Sequence, residues 1–303
     1  MSSRHRTVVS GSVGVAFAVA LASACSGTVD IGGFDPADGG RTDASASGDS
    51  GDSSPVPTGP MVEVRLRATQ TKVDVAAGTA GQTPITQSLA IVSLLLYTGP
   101  TDTTPLVVFD AKATTANGVE CSVSDKADTA IAKVPIASLK SGKYVRARIG
   151  VAWVKWKVNG RAHVGGLKFD GTYETVQVLS KGASIEGSVR DPGYFKTTFV
   201  TAGQAPVSNE GTQALPIPPQ SGIVKFVNEG SQAFYEFPVD LTVDLGVTKD
   251  LASVFEVNTY ENYRWTDQEI AGYEPGVWDT SGTTYEPVVS FGVNSAKLSF
   301  EQK

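Results

Sequence analysis

GKYVRARIGVAWVKWKVNGRAHVGGLKF, residues 142–169, is the stretch on which the fold turns. Val145, Ala147, Ile149 and Val151 alternate with Arg146 and Arg148, the period-two pattern of a strand with one face in a core. From Ala152 the apolar set changes parity, to Ala152, Val154, Trp156 and Val158. That phase change predicts a bulge, or a strand whose second half buries its other face. Asn159-Gly160 follows, a strong short hairpin signal, and predicts a type I′ turn. Counting outward from that turn sets Trp156 opposite His163, so the imidazole is expected to pack on the indole.

The same grammar extends in both directions. MVEVRLRATQTKVDV (61–75) alternates Val62, Val64 and Leu66 with Glu63, Arg65 and Arg67, and SLAIVSLLLY (88–97) is the near-continuous apolar run of a central strand. Short β-rich runs recur at 105–112, 129–136, 172–179, 193–200, 222–228, 232–245, 253–260, 286–293 and 296–301, without a sustained 3.6-residue period. About a dozen strands without intervening helices predict an all-β domain over 61–303, an antiparallel Greek-key β-sandwich in preference to a barrel. LKSGKY (139–144) resembles the Tyr corner of such sandwiches, in which a Tyr near a strand start bonds back to upstream backbone. Residues 201–222 are rich in Pro and Gly and lack periodicity. They read as a long loop in one domain, with a sub-boundary at 201–222 as the alternative.

The N-terminus has another character. Arg4 and Arg6 precede an uncharged run, Val8 to Ala24, too short and too rich in Ser and Gly for a membrane span. Residues 1–24 therefore read as a signal peptide. Leu21-Ala22-Ser23-Ala24-Cys25 resembles the lipobox of bacterial lipoproteins, which implies cleavage before Cys25 and a diacylglyceryl thioether, with palmitate-type chains, on its sulfur. Ala22 stands where the family usually has Leu, and Ala22-Ser23-Ala24 also fits ordinary secretory cleavage at the same bond. Ser26 follows the Cys where Asp would favour the inner membrane, so the resemblance implies the outer one in a host with two. Residues 25–60, rich in Gly, Ser, Asp and Pro, lack the apolar surface to offset chain entropy and read as a disordered tether spanning about 30 Å.

Charge and cysteine usage exclude several classes. The chain carries −6, and residues 61–303 hold 22 basic and 25 acidic residues without a basic stripe, so nucleic acid is not an expected partner. Cys25 and Cys121 are the two cysteines; with Cys25 acylated, Cys121 is expected to be a small buried apolar residue. His163 is the only His beyond the leader, which disfavours a multi-His zinc set, and no phosphate loop, nucleophile elbow or dinucleotide fingerprint occurs. No cofactor or metal is expected.

The candidate site is NYRWTDQEIAGYEPGVWDT (262–280). Seven aromatics fall between Phe255 and Tyr285, well above the chain's 8%. Three readings compete. Trp265, Tyr273 and Trp278 can cap the open end of the core. Tyr263, Trp265, Tyr273 and Trp278 with Asp267, Glu269 and Asp279 can form a carbohydrate- or protein-binding surface. Asp267 with Glu269 or Glu274 can form the carboxyl pair of a glycan hydrolase. Capping is favoured, binding follows, and hydrolysis is the enzymatic alternative.

The layout as a whole resembles a group of uncharacterised bacterial β-sandwich lipoproteins: lipobox, Asp/Ser/Gly tether, a strand entered through L-x-x-G-x-Y and a late W-x-D loop. The resemblance carries no activity and assigns no site residues; the chain reads as a lipid-anchored cell-envelope protein whose β-sandwich is a non-catalytic binding or structural module, with a secreted glycan-active hydrolase using loop carboxylates as the alternative.

Overall fold

The structure is a computed structural model and describes residues 59–74, 77–111, 117–213, 224–246, 248–281 and 284–303. The leader, Cys25 and the tether up to residue 58 lie outside the described residues. The first strands are β1 (Met61–Thr69), β2 (Thr79–Gln82), β3 (Thr86–Tyr97), β4 (Leu106–Asp110), β5 (Val119–Ser122) and β6 (Asp128–Pro135). Next come β7 (Gly142–Val164), β8 (Leu167–Val178), β9 (Ala183–Ile185), β10 (Ser188–Arg190), β11 (Tyr194–Val200) and β12 (Val207–Thr212). The last are β13 (Lys225–Glu229), β14 (Gln232–Val243), β15 (Leu251–Asn258), β16 (Tyr263–Thr266), β17 (Asp279–Ser281), β18 (Val288–Ser290) and β19 (Ser295–Gln302). One 3-10 turn, Ile136–Ser138, is the only helical element among the described residues, and none of them forms a helix long and apolar enough to cross a membrane.

A four-stranded sheet, in the order β19-β15-β1-β6, packs on a ten-stranded sheet built around β7, and neither closes on itself. The fold is an all-β sandwich. Val62, Val64 and Leu66 of β1 and Phe255 and Val257 of β15 share one core with Leu94 and Leu96 of β3, Ala147, Ile149 and Val151 of β7, and Tyr235 and Phe237 of β14. Phe237 and Phe255 stack across the layers at 5.1 Å. Burying a side chain of this class contributes roughly 1.5–3 kcal/mol, so this layer dominates the stability. Pairing is antiparallel except at β1–β15 and β17–β7, which run parallel. A smaller sheet, in the order β18-β16-β2, joins one strand from before β3 to two that follow β15 in the chain.

The central strand behaves as its parity predicts. Leu89 pairs with Val154 and Ile91 with Val151, so Ala90 alone opposes Ala152 and Trp153 of β7. The bulge moves core contact from Ala147, Ile149 and Val151 to Val154, Trp156 and Val158. Ala152 and Trp153 then join a second apolar cluster with Val178, Ala183 and Ile185. The Tyr corner is formed: the Tyr144 hydroxyl donates to the Lys140 carbonyl at 2.8 Å. Cys121 is a buried core residue, and burial pushes its thiol up to about 12.

The hairpin expectation at Asn159-Gly160 is overturned. β7 runs through both residues, and the turn lies at Gly165-Gly166, whose φ values of 58° and 82° suit a two-residue hairpin. Gly160 is needed for closeness instead. It pairs with Gly171, and a Cβ on it would stand 2.8 Å from the Tyr173 ring and 3.1 Å from Trp278. The Gln82 side chain bonds both backbone groups of Asn159, holding the strand extended. His163 is consequently opposite Lys168, while Trp156 pairs with Thr175 and packs on Phe291 at 4.1 Å.

The Pro/Gly-rich stretch divides. Its first half includes β12, which pairs with β11, and residues 214–223 lie outside the described residues. Strands on either side, β11 and β14, belong to the same ten-stranded sheet.

Candidate functional site

The stretch 262–280 leaves β15, forms β16 against β2, loops outward, and returns as β17 along β7. In β16 the strand alternation sends Tyr263 and Trp265 inward, to 3% and 1% exposure. Trp278 is half-buried, edge-on to Tyr173 at 4.8 Å and to Tyr263 at 5.2 Å, and its indole N–H donates to the Glu286 carbonyl at 3.0 Å. These three rings extend the core and offer no exposed aromatic platform. Tyr273 is the ring nearest the surface: it packs on His163 at 4.8 Å and donates from its hydroxyl to the Thr284 carbonyl at 2.9 Å.

The acidic residues separate in the same way. Asp279 is fully buried; its Oδ1 lies 2.6 Å from His163 Nε2, and its Oδ2 accepts the Glu274 N–H at 2.8 Å. Both oxygens of Asp267 accept the Gly276 N–H, at 3.2 and 3.0 Å. Glu274 pairs with Arg161 at 2.7 Å, and the same guanidinium holds Asp170 at 2.6 Å. Those two carboxylates raise the Arg161 pKa further above its ordinary value. Glu269 is exposed. Asp267, Tyr273, Trp278 and Asp279 thus meet in one bonded loop, Tyr263 and Trp265 lie in the core behind it, and Glu269 stands apart.

Glu286 and His163 are the residues that pattern reading did not place here. Glu286 is fully buried; its Oε1 accepts the Gln268 N–H at 2.9 Å and its Oε2 the Asp279 N–H at 2.8 Å. Burial pushes its carboxyl up to about 7, helped by Asp267 and Asp279 and opposed by the two N–H donors. No spacing marks it, because it opens a run, EPVVSFGV, that reads only as a strand. His163 reaches Asp279 through the parallel β17–β7 pairing, across 116 residues of chain. Tyr173 completes the cluster, its hydroxyl 2.5 Å from Thr280 Oγ1.

Chemically this is an acceptor network. Asp267, Asp279 and Glu286 bond N–H groups that an irregular loop would otherwise leave unpaired, each worth about 1–3 kcal/mol if orphaned in the interior. Among the described residues no cluster of three or more His, Cys, Asp or Glu side chains is placed to hold a metal ion. No protein-family model, no curated protein and no solved structure matches the chain.

Proposed function

We propose that this chain is a lipid-anchored cell-envelope protein whose β-sandwich is a non-catalytic binding or structural module. The observation that carries the reading is Leu21-Ala22-Ser23-Ala24-Cys25 at the end of an uncharged run, followed by the Gly/Ser/Asp-rich stretch to residue 60. Two or more acyl chains hold a protein stably where a single one is marginal, at roughly 0.8 kcal/mol per buried CH₂. In a host with two membranes the anchor is the outer one, because Ser26 replaces the retaining Asp.

The geometry supports a presenting role. Leu251 pairs with both Val62 and Gln302, so the start of β1 and the end of the last strand meet at one end of the four-stranded sheet. Asn258, which leads into the candidate stretch, pairs with Thr69 and Ser295 at the other end. Along a strand of this length the two ends stand about 23 Å apart, at roughly 3.3 Å per residue. The loop end is the surface offered to a carbohydrate or protein ligand. Asp267 and Glu274 are engaged in holding the loop, which counts against hydrolysis by a pair drawn from them.

Metabolic labelling with a palmitate analogue, followed by mass spectrometry of the mature N-terminus, tests the anchor. The expected product is acylated at Cys25 and partitions into detergent, and Cys25→Ala abolishes both. A wild-type chain that is unlabelled and stays in the aqueous phase rejects the proposal. Glycoside hydrolysis lost in Asp267→Asn would reject the non-catalytic role.

A further inference from the structure

The second apolar cluster has a hairpin of its own. Trp153 of β7 pairs with Val178 of β8, and the Gly193 N–H donates to the Val178 carbonyl, so Tyr194 at the start of β11 continues the same row. Among the described residues β9 and β10 pair only with each other, and Ala183 and Ile185 of β9 close down on that row. Arg190, opposite Ala183 in β10, sets its guanidinium 4.3 Å over the Tyr194 ring. At the tip, Lys196 Nζ donates to both carboxylate oxygens of Glu186 at 2.7 Å, and on the flank the Ser184 N–H donates to Asn117 Oδ1 at 2.6 Å. The hairpin leaves and rejoins the sheet at Gly182 and Gly193, whose φ values of 87° and 93° lie in the left-handed region.

Two donors here lack acceptors among the described residues: the indole N–H of Trp153, a residue only 4% exposed, and the buried Nε–H of Arg190. Arg65, Arg67, Arg146, Arg148 and Arg161 each hold a carboxylate, whereas none of the described carboxylates pairs with Arg190. Glu186 acts on it at longer range and is committed to Lys196. A buried donor without a partner is costly, so the arrangement calls for an acceptor, and the cations call for a negative one. Lys155, 4.2 Å from the Trp153 ring, adds a further positive charge beside the row. Tyr194 spends its hydroxyl on Glu210, and apart from it and Trp153 the cluster is aliphatic, so it offers little to the hydroxyls of a sugar. We propose that β9–β10 is a lid over a site for an amphipathic carboxylate, whose acid group is held by Arg190 and Lys196 and whose apolar body lies along Trp153 and Val178. Closed, the Glu186 carboxylate holds Lys196 as the ligand's would, and the ligand displaces it when the hairpin swings on its two glycines. The site stands apart from 262–280 and is independent of the lipid anchor.

Dodecanoate below its micellar concentration, titrated into the full chain bearing Cys25→Ala and followed by Trp fluorescence and calorimetry, tests it without detergent. One saturable site is expected, with dodecanol, which lacks the charge, binding at least about tenfold more weakly. Arg190→Gln should weaken dodecanoate by about tenfold. Glu186→Gln, an exposed change that releases Lys196 and the tip of the hairpin, should tighten it severalfold, and it carries the test alone where Arg190→Gln does not fold. Absence of saturable binding overturns the site, as does dodecanol binding as tightly as dodecanoate, which is apolar partition alone. An affinity unmoved in either folded variant overturns the assignment of the acid group and the lid. Saturable binding of an oligogalacturonate with none of dodecanoate overturns the ligand class.

Discussion

Gly160→Ala separates a packing glycine from a turn glycine. The added Cβ would lie 2.8 and 2.9 Å from two carbons of the Tyr173 ring and 3.1 Å from Trp278. The Tyr173 ring cannot easily yield, because its hydroxyl is bound to Thr280 and its face lies 4.7 Å from Phe199. Overpacking of this kind costs ~1–3 kcal/mol. Removing a glycine from the unfolded chain offsets ~0.4–1 kcal/mol of that. The expected net loss is about 1–2 kcal/mol, or a fall of about 2–8 °C in Tm for a domain of this size. Guanidinium unfolding followed by Trp fluorescence measures it, in wild-type and Tyr173→Leu backgrounds. With the ring gone the alanine should fit, so the two substitutions should couple by about 1 kcal/mol or more. Costs that add to within about 0.5 kcal/mol would refute the packing account and restore a backbone requirement at Gly160.

Other outcomes follow from single contacts. Tyr144→Phe removes the donor to the Lys140 carbonyl and should lower stability by about 1–2 kcal/mol with the fold intact, read from chemical denaturation. Cys121, with its thiol pushed up to about 12, should resist iodoacetamide in the native protein at neutral pH and react once unfolded, read as a mass increment.

Much of the fold is written in short-range pattern. Alternation in β1 and the parity change at Ala152 are local properties of a strand with one buried face, and the structure keeps both. The LKSGKY turn is equally local, since its bond spans four residues. Asn159-Gly160 misleads because turn propensity is a weak local preference: Gln82, Tyr173 and Trp278, all distant in sequence, claim the segment for an extended strand. In the candidate site the aromatic density is visible, and so is the shared parity of Tyr263 and Trp265, which places both rings on one face. Which face is buried is settled by β2 and the core beyond it. The pairing of His163 with Asp279 depends on a parallel strand contact that no spacing announces, and Glu286 is indistinguishable in sequence from any solvent-facing strand acid.

The position of β1 has a mechanical consequence. It is locked between β15, in parallel register from Val62 to Thr69, and β6 on its other side. Under the proposed anchoring, tension between the residues before β1 and a partner gripped at the opposite end would run along the axis of β1. Such a load must shear both ladders at once, since β1 is an inner strand of its sheet. On that proposal the sandwich meets a pull with two ladders loaded in parallel.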